Sequence, residues 1–92
     1  MSEKVRVQTG DIDTVLNDVW RHVQERMRRG SEDINVLLDD GESALNDAIE
    51  KLEAGDLRAA SDCAASAASC ALLVALAMHR MAEDVPAKKE MN

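Results

Sequence analysis

The chain is short, acidic and nearly free of aromatic residues: 92 residues, a net charge of −7, and Trp20 as the one aromatic side chain. That length allows one domain, and a core without Phe or Tyr argues against a β-sandwich or barrel. With 18 acidic against 11 basic residues, nucleic acid would be repelled unless the cations cluster strongly.

Residues 1–9 are polar and read as a flexible N-terminal segment, with Val5 and Val7 alternating with Lys4 and Arg6 as a weak strand-like hint. A helical domain is expected over residues 10–84. Its first helix should run from about Asp11 to Arg29, because Ile12, Val15, Leu16, Val19, Val23 and Met27 recur at spacings of three and four. Thr9, Asp11 and Asp13 are N-cap candidates, and Gly30 is a natural stop. Trp20 borders the apolar stripe and is expected at the edge of a core or in an interface, where Trp often anchors a partner.

The second helix should span about Glu32 to Ala54, capped by Ser31, with Ile34, Leu37, Leu38, Gly41, Leu45, Ala48, Ile49 and Leu52 as its stripe. Gly41 falls in phase with that stripe. One unbroken helix is therefore expected, with Gly41 admitting a close neighbour; the rival is a turn at Asp39–Gly41. Gly55 should end this helix and Asp56 should cap the third, from about Leu57 to Glu83, so the two form an antiparallel hairpin. In the third helix Leu57, Ala60, Ala64, Ala67, Ala71, Val74, Met78 and Met81 make a heptad seam. Residues 85–92, with Pro86, read as a flexible tail.

From Cys63 to Met78 no residue is charged. Leu72, Leu73 and Leu76 point away from the seam, so this helix is apolar on more sides than two neighbours can cover. The run is shorter than the ~20 residues of a membrane span and holds Ser66 and Ser69, so a membrane is not expected to cover it. A second copy of the chain is the expected cover, with Trp20, Leu72, Leu73 and Leu76 as interface residues. The fold expected is thus all-α: a three-helix antiparallel bundle with a long Ala-rich C-terminal helix, assembling into a homo-oligomer, most simply a dimer.

Chemistry is sparse. Arg21, His22, Arg26, Arg28 and Arg29 crowd the second half of the first helix, and His22, Arg26 and Arg29 share a face that suits an anionic ligand or an acidic protein surface. The alternative is a solvated helix end whose cations suit the dipole. Arg26 and Arg29 are expected on the polar side, needed for binding and not for folding. The acids of the second helix, including Asp39, Asp40, Glu42, Asp47, Glu50 and Glu53, read as a solvated face. His22 and His79 lack the companions of a zinc site and are expected at the surface. Cys63 and Cys70 share a helix about 10 Å apart along its axis, too far for a disulfide, and so suggest a reducing compartment. The N-terminus has no apolar signal region, which makes the cytoplasm the default. No metal or cofactor site is expected.

Leu37, Leu38, Asp39, Asp40, Gly41 and Glu42, then Glu53, Ala54, Gly55, Asp56, Leu57 and Arg58, place an acidic helix before a short Gly-Asp loop and a helix ending in an apolar run. That order resembles the all-α nucleoside-triphosphate pyrophosphohydrolases over roughly half the chain. The family holds its metal with Glu-Glu-x-x-Glu and a later Glu-x-x-Asp. Here Asp39, Asp40, Gly41, Glu42 and Ser43 stand at the first, off register, and nothing stands for the second. A non-enzymatic binding or regulatory protein (an inhibitor, adaptor or sequestering agent) is therefore the leading expectation. The resemblance implies the alternative, a metal-dependent nucleotide hydrolase with an atypical carboxylate set.

Overall fold

The structure, a computed structural model, describes residues 8–30 and 33–84. Three helices make up almost all of it: α1 (Thr9–Arg29), α2 (Ile34–Glu53) and α3 (Leu57–Asp84). Each lies where the apolar periodicity places it. The ends differ in instructive ways. Thr9, Asp11 and Asp13 all lie inside α1; Gln8 is its N-cap and makes no side-chain capping bond. The first turn is held by backbone, with Asp11 and Ile12 donating to the Gln8 carbonyl. At α2 the cap is Asp33, whose carboxylate accepts from the Asn35 amide at 3.2 Å. Ser31, the residue expected there, lies outside the described residues, as do the segments 1–7 and 85–92.

Asp56 caps α3 as its position after Gly55 requires, accepting from the Ala59 amide at 3.2 Å. Gly55 adopts φ +83°, a conformation that disfavours any side chain, and its amide returns to the Leu52 carbonyl. This three-residue connection, Ala54 to Asp56, reverses the chain, so α2 and α3 form the expected antiparallel hairpin.

α3 is the centre of the fold. α2 packs along it, α1 packs on it less extensively, and α1 and α2 do not pack on each other. α1 runs in the same direction as α3. Its Asp18 and Arg21 border a cleft with Leu57, Arg58 and Asp62, while its Met27 and Gly30 border another with Leu76 and Arg80. The opening turns of α1 therefore continue past the start of α3. That is why Ile12, Val15 and Leu16, in phase with the buried Val23, stay exposed. The stripe is legible in the sequence, but the partner helix is not long enough in that direction to cover it.

α2 is unbroken through Gly41, which meets α3 directly. A Cβ placed on Gly41 would lie 3.2 Å from the Cβ of Cys70 and 3.9 Å from the Ala67 carbonyl oxygen. The core around this contact is small: Val23, Leu37, Ala65, Ala67, Cys70 and Val74, with Ser69 fully buried among them. The Ser69 hydroxyl donates to the Ser66 carbonyl at 2.6 Å, which satisfies the buried polar group within its own helix.

Candidate functional site

Among the described residues six hydrophobic side chains are buried, three of them Ala or Cys. Against them, among the same residues, stand fifteen large hydrophobic residues that are exposed. Isolated apolar residues on a surface are ordinary, but a contiguous set is not. Where these residues lie decides which they are.

On α2 the contact with α3 runs through Ile34, Leu37, Gly41, Ala44 and Ala48, all buried or half-buried. Asp40 marks the side turned to α1, since it accepts from Arg26 of α1 at 3.1 Å. At ~100° per residue, Leu38, Leu45 and Ile49 fall on the other side of the contact line, while Leu52 points the same way as Ile34, near the end of α2. All four are exposed. They were expected in the core stripe; the structure covers only the half of that stripe nearest Leu37.

On α3 the residues turned to neither neighbour are Ala64, Ala68, Ala71, Ala75 and Met78, each exposed. Their spacings of four, three, four and three form a seam beside the one read from the sequence. Ala67 and Val74 of the expected seam are buried against the hairpin, whereas Ala64, Ala71 and Met78 face outward. Leu38, Leu45 and Ile49 border this Ala stripe along the open edge of the hairpin, forming one apolar face. The signal was present in sequence as the uncharged run Cys63–Met78, but only the position of α2 shows which arc of α3 is left open.

Of the expected interface residues, Leu72 and Leu76 are each 48% exposed, and Trp20 is 53% exposed. Leu73 turns inward and is half-buried, lining an open cleft of about 450 Å³ with Arg26, Leu37, Met27 and Arg80.

The expected anion face is divided by the fold. Arg26 is not on a free polar side: its side chain is 12% exposed and its guanidinium donates to Asp40, tying α1 to α2. His22, half-buried, pairs with Asp62 of α3 at 3.2 Å. Arg21 lies 3.4 Å from Asp18 and 3.6 Å from Asp62, and Arg28 lies 3.3 Å from Glu25. Arg28 and Arg29 are exposed, and His79 pairs with Glu83 at 3.2 Å on the surface of α3. Three of the five residues thus reach a carboxylate on another helix: Arg21 and His22 reach Asp62 of α3, and Arg26 reaches Asp40 of α2.

Among the described residues no three His, Cys, Asp or Glu side chains are gathered so that they could hold a metal ion. Neither cysteine is in a disulfide; Cys70 is buried and Cys63 half-buried. By length and composition α3 is apolar enough to cross a membrane, a property that core helices of soluble bundles share. Comparison with protein families, with curated proteins and with solved structures finds no match to this chain.

Proposed function

We propose that this protein is a non-enzymatic binding or regulatory protein that works as a homo-oligomer, most simply a dimer. The observation that carries the reading is the apolar face made by Leu38, Leu45 and Ile49 of α2 with Ala64, Ala68, Ala71 and Ala75 of α3. A hairpin with one finished face and one uncovered apolar face is half of a helical bundle. Among homo-oligomers, isologous two-fold pairing is the commonest arrangement.

In this reading α2 and α3 serve assembly, and α1 serves recognition. Ile12, Leu16 and Trp20 lie along one side of α1, with Arg21, Arg28 and Arg29 exposed on the same helix. That combination suits an acidic amphipathic segment of a protein partner, with Trp20 as anchor. The unpaired cysteines accord with a cytoplasmic setting.

Sedimentation equilibrium over a hundredfold range of concentration tests the assembly. The expected mass is at least twice the 10.0 kDa of the chain. A stable helical monomer at every concentration would sink the proposal.

A further inference from the structure

Taking self-assembly as the starting point, we infer how the two copies are arranged: α2 of each lies across α3 of the other, around a two-fold axis parallel to the hairpins. The surface assigned is the open face of the α2/α3 hairpin, and the occupant is the same face of a second copy.

Two independent observations favour this pairing over the other two-fold choice, in which α2 meets α2 and α3 meets α3. The first is charge. α2 carries six carboxylates and one lysine, whereas α3 is uncharged from Cys63 to Met78. Glu42 and Glu53 lie four residues from Leu38 and Ile49, so they flank the apolar edge of α2. Stacking α2 on its own copy would set two acidic rims side by side. Stacking it on the partner's α3 sets Glu42 against the uncharged run of that helix instead.

The second observation is bulk. Along the open edge α2 exposes large residues (Leu38, Leu45, Ile49), and the arc of α3 beside them exposes small ones (Ala64, Ala68, Ala71), while the exposed Leu76 and Met78 of α3 lie nearer α1 or beyond the start of α2. A ridge of leucines seats in a groove of alanines, whereas like-on-like pairing sets ridge against ridge and leaves the alanine grooves apart.

The register follows from the hairpin. Gly41 is level with Ala67 and Cys70. Counting antiparallel from there, Leu45 is level with Ala64 and Leu38 with Ala71. A two-fold axis along the helices preserves height, so these same levels meet between copies.

Disulfide trapping tests the arrangement. In full-length chain with Cys63→Ala and Cys70→Ala, Leu45→Cys is placed in one preparation and Ala64→Cys in another. Mixed and mildly oxidised, they should form a hetero-disulfide in several-fold excess over either homodimer. Leu38→Cys with Ala71→Cys gives the same reading should the first pair fail to fold. Homodimeric disulfides through Ala71→Cys, with none between α2 and α3 variants, would overturn this arrangement and leave self-assembly standing. A monomer in sedimentation would overturn both.

Discussion

Gly41 of α2 and Cys70 of α3 approach so closely that a methyl group on the glycine would sit 3.2 Å from the Cβ of the cysteine. Both carbons would be fixed to helix backbones, so neither can swing away as the end of a flexible side chain can. The contact sets the spacing of the whole hairpin. Gly41→Ala should therefore forfeit the ~1 kcal/mol that Ala ordinarily gains over Gly inside a helix. Gly41→Val should cost about 1–3 kcal/mol by overpacking. Urea unfolding of the three proteins gives the comparison, and a Gly41→Ala chain stabilised by the full helix-propensity gain would contradict this packing. Cys70→Ala should not relieve the valine variant, because the clash is with Cβ and not with sulfur.

Arg26 and Asp40 join α1 to α2, which otherwise do not pack on each other. With Asp40 partly exposed, the pair is screened, so Arg26→Ala should destabilise by only about 1 kcal/mol. Arg26→Glu should cost more, since it sets two carboxylates together. A double-mutant cycle with Asp40→Ala isolates the pair. A coupling of zero would mean that the arginine acts through other contacts.

The two thiols report on native packing. Cys70 is 1% exposed and Cys63 is half-buried. A colourless disulfide reagent that releases a coloured thiolate should modify Cys63 first, in the folded protein. Cys70 should react only as the chain opens, at a rate that falls with increasing stability. Equal rates for Cys63→Ala and Cys70→Ala chains would rule out the burial described for Cys70.

Charges placed on the open face should separate assembly from folding. Leu45 and Ala71 are exposed in the single chain. Leu45→Glu and Ala71→Glu should thus preserve helix content while weakening association. Loss of one buried leucine, about 1.5–3 kcal/mol, corresponds to roughly tenfold to a hundredfold in Kd. Circular dichroism and sedimentation on the same samples distinguish the two effects. Unaltered association in both variants would remove this face from the interface. Leu73→Lys is a less discriminating probe, because Leu73 lines the cleft beside Arg26 and Leu37 within the chain.

The N-caps of α1 and α2, Gln8 and Asp33, were not legible in the sequence; by itself it determined the three helices, the turn at Gly55 and Asp56 and the close approach at Gly41. These are local matters: the period of apolar residues, a glycine at φ +83°, an aspartate one residue before a helix. It also showed that the run Cys63–Met78 carries no charge, and the structure leaves part of that run exposed. Only the tertiary structure decided which arc of α3 stays open, since that depends on the angle at which α2 seats against Cys70. Only it showed Leu38, Leu45 and Ile49 outside the core, although they share a stripe with the buried Leu37. A stripe in sequence gives a direction about ~100° wide, and a partner helix covers just the part it touches. The arginines of α1 illustrate the same limit from the polar side. Periodicity put His22, Arg26 and Arg29 on one face, but whether such a side chain binds a ligand or braces a neighbour depends on Asp62 and Asp40, brought near from other helices. Such long-range pairings follow from how the helices pack, and no local pattern encodes them.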